Sequence, residues 1–263
     1  MMSNNNPFSA IRAAEHNEYE RLSAYLGQLD ADGWQETSYC ADWPVLRVIS
    51  HLSSSAVING GRLAAWFQGR PPMAREEFPK LWAHYDSLTA EQMLPEFRQA
   101  TDEYFKVFDA LTEDHGATEV EGFMGKQPAN RYIMGRLNEM ALHAWDVYVG
   151  RDRRARLTQE TVGLLLPVQR AVSLDRQRAE KLAGKKVQFR TVGPSDSLVL
   201  DLTGEQPALT HGEGASPDVS LELPAEEFCR LMYGRQFVPG TRSGMILRAG
   251  SPDDQSALLR AFR

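Results

Sequence analysis

The sequence predicts an N-terminal bundle of four helices followed by a small α+β domain. Three observations predict it. Four long segments of the first half repeat apolar residues at helical spacing. Short β-type runs separated by turn residues begin only after Gly184. Between the two textures lies a charge-rich junction, residues 151–156, which places the bundle at residues 1–152 and the α+β domain at residues 153–263.

Taken in order, Pro7 suits a first-turn position, and Phe8, Ile11, Ala14, Tyr19, Leu22, Tyr25, Leu26 and Leu29 recur at helical spacing. Gly33 and Thr37-Ser38 break that helix. Asp42 before Trp43-Pro44 reads as the cap of a second helix running to Phe67, where Gly69-Arg70-Pro71-Pro72 stops it because tandem prolines cannot continue a helix. A polar linker with Trp82 and Tyr85 in a short helical stretch follows. Thr89, with Gln92 three residues on, forms a capping-box pattern opening a helix from Ala90 to Leu111. Residues 113–127 read as an irregular loop, and a fourth helix spans Ala129 to Gly150. Four such amphipathic segments with moderate connections predict an antiparallel bundle.

Behind the junction, one helix is predicted over Thr158–Leu182. Val187–Phe189, Leu198–Leu202, Val219–Leu223 and Met245–Arg248 read as strands, and Pro224–Tyr233 and Asp253–Phe262 as helices. Turn residues at 193–196 and 212–214 separate the strands.

With 42% apolar and 24% charged residues, the chain has enough apolar material for a sizeable core. Its net charge of −6 argues against nucleic-acid and anionic-membrane partners, both of which favour a basic surface. Cys40 and Cys229 allow at most one disulfide, so a reducing, cytoplasmic setting is the simpler expectation. No signal peptide is expected, because residues 1–6 have neither a basic region nor an apolar core. A Gly-rich phosphate loop, a serine nucleophile elbow and a CxxC motif are all missing from the sequence.

The chemistry concentrates in Asn138–Val147. Glu139 and His143 stand four residues apart and so share one face of a helix, with Asp146 close to the same stripe. Apolar residues (Ile133, Met134, Leu137, Met140, Leu142, Trp145) surround them, and a carboxylate is costly to bury there unless paired or bound to a cation. His51 lies in a similar setting among Val45, Leu46, Val48, Ile49 and Leu52. Two histidines and a glutamate form a donor set that catalytic zinc uses while keeping a position open. Spacing alone favours packed, satisfied core residues over metal ligands. Asp146 reads either as the acceptor orienting a ligand histidine or as a surface ion-pair partner. His16, His84, His115 and His211 sit in polar surroundings and read as solvated. Cys40, just before the second helix, could face the mouth of a site, although no neighbouring cation activates its thiol. Cys229 reads as packing.

At these residues a resemblance enters. Trp34, then Thr37-Ser38-Tyr39-Cys40-Ala41-Asp42-Trp43-Pro44-Val45 leading to Ile49-Ser50-His51-Leu52, resembles the opening of the mycothiol-dependent maleylpyruvate isomerase family. That family belongs to the DinB-like helical-bundle superfamily of metal-dependent thiol transferases. Glu139–Asp146 is similar to its second hallmark. The resemblance implies that His51, Glu139 and His143 ligate a divalent metal, zinc being the expected ion. It implies a sterol-carrier-like C-terminal domain, to which Val219–Leu223 and Ala225–Arg235 are similar. It also implies that Arg235, with Arg242 and Arg248 nearby, suits an anionic substrate.

The implied activity is a thiol S-transferase or thiol-dependent isomerase, in a monomer or homodimer. The thiol is mycothiol by family default, with ergothioneine, bacillithiol or glutathione as alternatives. A metal-dependent hydrolase and a non-catalytic metal- or ligand-binding protein are the rival readings. The sequence departs from the family at Asp42, where glycine is common, and residues 70–85 and 113–127 align with nothing in it.

Overall fold

The computed structural model describes residues 8–40, 43–122, 125–169, 174–175, 177–235 and 243–262. The chain divides into two compact units, one within residues 5–155 and one built on residues 156–263. The first is helical: α1 (Phe8–Leu26), α2 (Ala31–Gln35), α3 (Val45–Phe67), α4 (Phe78–Asp86), α5 (Ala90–Asp109) and α6 (Ala129–Arg151). Among them α1, α3, α5 and α6 form the bundle: α1 and α3 each pack against both α5 and α6. Leu22, Leu26, Val48, Ile49, Leu52, Phe97, Met140 and Ala144 meet in its interior, with Leu22–Leu26, Val48–Leu52 and Met140–Ala144 each one turn apart on its helix.

The local signals explain most boundaries. The Thr89–Gln92 capping box is present at the start of α5, and α3 ends at Phe67 before the Gly-Pro stretch. The start of α3 differs from expectation. Its N-cap is Pro44, whose side chain offers no cap bond, and Asp42 lies outside the described residues. The turn is secured instead by backbone bonds, Val45 N–H to Glu36 O at 2.9 Å and Ser38 N–H to Trp43 O at 2.8 Å.

Residues 113–127 are not irregular as expected. After a 3-10 turn at Glu113–His115 they form an antiparallel hairpin, β1 (Glu119–Gly122) with β2 (Gly125–Pro128). Four-residue strands holding two glycines and no aromatic carry little β signal, and pairing across Gly122–Gly125 is what makes them strands.

The second unit has a five-stranded sheet in the order β5-β4-β3-β6-β7, with β3 (Lys186–Val192), β4 (Asp196–Asp201), β5 (Ala208–His211), β6 (Val219–Pro224) and β7 (Ile246–Ala249). The β3–β6 pair is parallel and the others are antiparallel. Helix α7 is Gln159–Leu165, α8 is Ala225–Leu231 and α9 is Pro252–Ala261. Phe189 of β3 meets Phe228 of α8 edge-on at 5.2 Å, both fully buried, so the sheet closes its core with α8. Strand β5 escaped sequence reading. The single helix expected over Thr158–Leu182 is a correction: α7 passes into a 3-10 turn at Leu166–Val168, and a second such turn lies at Glu180–Leu182. Pro167 has no N–H to donate to the carbonyl one turn back, which ends the α-helical ladder.

Candidate metal centre and its cavity

Helices α3 and α6 present the predicted residues to one another. His51 lies in the second turn of α3 with Ser55 one turn on, and Glu139 and His143 are successive turns of α6. His51 Nε2 stands 3.0 Å from Glu139 Oε1, and the His51 and His143 rings are 4.9 Å apart between centroids. Two ligands of a tetrahedral zinc, each at its usual bond length, stand about 3.3 Å apart. The His51–Glu139 spacing is that of a direct hydrogen bond and also one that a shared ion accommodates, whereas the ligand atoms of His51, Glu139 and His143 do not all come within 4.8 Å of one another.

His143 is oriented from behind. Asp146 is fully buried, and its Oδ2 accepts from His143 Nδ1 at 2.9 Å. With Nδ1 carrying the proton, Nε2 bears the lone pair a metal ligand needs. Burial removes the alternative reading of Asp146 as a surface ion-pair partner. The loop before α3 is tied to the same turn of α6 by the Tyr39 N–H to Asp146 O bond of 3.0 Å. That tie brings Cys40 to His143: among the described residues, ligand atoms of Cys40, His143 and Asp146 all lie within 4.8 Å of one another.

Glu139 is held by partners the sequence reading missed. Ser55 Oγ donates to Glu139 Oε2 at 2.6 Å, and Arg136 Nη1 donates to the same oxygen at 3.0 Å. Burial works against the charged carboxylate, yet the bonds from His51 and Ser55 and the Arg136 charge outweigh it and hold its carboxyl far below the usual range. Arg136 is fully buried and also faces Glu15 of α1, Nε to Oε1 at 3.6 Å, while its Nη2 donates to Leu52 O. Tyr104 of α5 donates to Glu15 Oε2 at 3.1 Å. Burial pushes the Glu15 carboxyl up to about 8, with Arg136 and Tyr104 only partly opposing it. One guanidinium thus stands between two carboxylates, of which Glu139 is the ionised one. Arg136 precedes Glu139 by three residues and Ser55 follows His51 by four, so same-face spacing was the signal that could have found both.

The His51–Glu139 pair lines one cavity of about 510 Å³ with Ser54, Ser55, Ile58 and Asn59 of α3 and Arg131, Tyr132, Gly135 and Arg136 of α6. Its remaining walls are Phe78 and Trp82 of α4 and Gln127 of the hairpin. The other predicted residues lie elsewhere. Arg235 is in the second unit, just after α8, where its Nη1 donates to Tyr233 O at 3.0 Å. Arg248 pairs with Glu222, and Arg242 lies outside the described residues. His16 pairs with Asp109, His211 with Asp196, and His115 accepts from Thr112 N–H within its 3-10 turn. Cys229 is buried, and that burial pushes its thiol up to about 12, as packing residues behave.

Comparison with known proteins matches residues 16–148, half of the chain, to the family described as "Mycothiol maleylpyruvate isomerase N-terminal domain". Residues 168–239 match the "SCP-2 sterol transfer family". No curated protein sequence matches the chain. Among solved structures, the crystal structure of the mycothiol-dependent maleylpyruvate isomerase is 15% identical, with a TM-score of 0.68 over 95% of this chain and 97% of the other. A histidine-to-alanine mutant of that enzyme gives a TM-score of 0.66 at the same identity and coverage. At that identity the likeness speaks for the fold: a helical unit followed by a sterol-carrier-type unit. The family match over half of the chain, with this fold along its length, makes the protein a member of the mycothiol maleylpyruvate isomerase family.

Proposed function

We propose that the protein is a metal-dependent, thiol-using enzyme that adds a low-molecular-weight thiol to a small anionic electrophile. Loss of a leaving group then completes an S-transfer; bond rotation followed by loss of the thiol completes a cis–trans isomerisation. The observation that carries this reading is the pairing of the His51 imidazole with the Glu139 carboxylate at the wall of a cavity of about 510 Å³, with the His143 ring stacked edge-on behind His51 at 4.9 Å. His51, Glu139 and His143 would hold a divalent ion, zinc fitting best. Such an ion supplies a Lewis acid that keeps a thiol ionised at neutral pH. Mycothiol is the thiol that family membership favours.

The chain's own residues have distinct tasks. Asp146 fixes the His143 ring and its tautomer. Ser55 and Arg136 fix the Glu139 carboxylate and keep it charged. Phe78 and Trp82 give one side of the cavity an aromatic wall, Phe78 buried and Trp82 open to solvent. Arg235 is assigned to a substrate carboxylate on the strength of its Gly-Arg position alone. The test is His51→Ala. Zinc content by elemental analysis and turnover with added mycothiol should both fall, and unchanged zinc with full turnover would sink the reading.

One observation favours a second reading. Cys40 lies close enough to His143 and Asp146 for its sulfur to enter a metal's shell, which would close the site as a non-catalytic one. Cobalt substitution separates the two. A sulfur-to-cobalt absorption band without added thiol, lost in Cys40→Ser, marks the closed site. A band that appears only on adding thiol marks the open one.

A further inference from the structure

Within the cavity, α3 and α6 each present one stripe. On α6 the stripe reads Arg131, Gly135 and Glu139, every fourth residue. Glu139 belongs to the metal end of the groove, and Arg131 stands two helical turns away, about 12 Å along the axis. At that far end Tyr132 donates to Asn59 Oδ1 at 2.6 Å and so ties α6 to α3.

Two features of this stripe lack a structural purpose. The first is Arg131, which is exposed at the cavity wall and makes no hydrogen bond or ion pair with another described residue. The other cavity arginine, Arg136, is already engaged: it pairs with Glu139 and Glu15 and donates to the Leu52 carbonyl. The second is Gly135 in the interior of a 23-residue helix. Glycine there costs about 1 kcal/mol relative to alanine. Close packing commonly justifies such a glycine, but a Cβ at Gly135 would meet no atom within 4 Å. What Gly135 preserves is empty space in the groove between Arg131 and the His51–Glu139 end.

We propose that this groove is an elongated substrate site in which Arg131 anchors a carboxylate and Gly135 leaves room for the chain joining that carboxylate to the reacting carbon. The ligand class is an extended carboxylic acid whose electrophilic centre lies remote from its anionic end. Its apolar body passes over Gly135 between Ile58 of α3 and the exposed face of Trp82 on α4. A carboxylate suits Arg131 because the planar guanidinium offers two parallel donors to it. The inference rests on the proposed function only in naming the His51–Glu139 end as the reacting end. The anion subsite lies wholly within the first unit and does not involve Arg235.

The experiment measures binding, not turnover. Zinc-loaded full-length protein is titrated calorimetrically with straight-chain carboxylic acids of about four to eight carbons, a span set by the groove, and with the matching primary amides as neutral controls. The wild type should prefer acid over amide by about tenfold at the best chain length. Arg131→Gln should erase that preference without changing amide affinity, and Arg131→Lys should restore part of it. Gly135→Leu should weaken acid and amide alike by about tenfold while zinc content and circular dichroism stay at wild-type values. Gly135→Ala, which fills part of the room, should weaken both ligands by a smaller factor than Gly135→Leu does. Undiminished acid preference in Arg131→Gln overturns the proposal, as does the absence of any preference in the wild type. Wild-type binding by Gly135→Leu overturns it equally. None of these outcomes depends on thiol chemistry, whereas the His51→Ala test concerns only that chemistry, so the two can fail separately.

Discussion

Replacing Glu15 with glutamine should flatten the pH dependence of stability of the helical unit. Glu15 is fully buried against Arg136 and Tyr104, and its carboxyl is raised from an ordinary 4.5 to about 8. Between those two values the folded state holds a proton that the unfolded chain has released. Stability conferred by the neutral carboxyl is therefore fully present below about pH 4.5 and is lost as pH rises towards 8. The slope is about 1.4 kcal/mol per pH unit, and across the whole window the difference reaches about 5 kcal/mol. Glutamine cannot ionise, so Glu15→Gln should show none of this slope and become the more stable form above neutrality. All five tryptophans lie at or before Trp145, so tryptophan fluorescence in urea reports on this unit alone. Metal-free protein would be unfolded in urea at half-unit steps from pH 5 to 9. Parallel stability curves for wild type and Glu15→Gln would refute the assignment of a neutral Glu15 and of an Arg136 left to serve Glu139.

Other consequences follow from the same network. Arg136→Met removes the guanidinium that pairs with both Glu15 and Glu139, and the helical unit should lose about 3–5 kcal/mol in the same urea assay at pH 8. Asp146→Asn keeps the shape but presents the wrong partner to His143 Nδ1; zinc affinity measured by competition with a chromophoric chelator should fall about 10–100-fold. Arg235→Gln, assayed with an anionic substrate, should raise KM with little change in kcat, and a variant with wild-type kinetics would remove Arg235 from substrate binding. Stripping zinc should lower the melting temperature of the wild type but not that of His51→Ala, since only the former gains binding free energy in the folded state.

Much of this architecture was readable one helix at a time. The capping box at Thr89, the proline stop after Phe67 and the apolar periodicity of α1, α3, α5 and α6 are interactions within a few residues, so local sequence carries them. The same holds for Glu139 and His143, whose shared face follows from the helix repeat. Periodicity misled where backbone chemistry intervened, as at Pro167, and was silent for the hairpin of β1 and β2, whose strands depend on each other.

The candidate metal centre shows the division most clearly. The sequence by itself determined that two imidazoles and two carboxylates would stand on helix faces among apolar residues, and that a family motif surrounds them. It left Asp146 as either helper or surface charge, and contained no sign that Arg136 divides itself between Glu139 and Glu15. Those outcomes needed α1, α3 and α6 to pack together, because burial and the pairing of charges depend on which faces meet and not on spacing along one chain. The cavity is the extreme case. Phe78, Trp82 and Gln127 come from the two segments for which the sequence motifs offered no counterpart, and only tertiary packing sets them opposite Arg131 and Gly135.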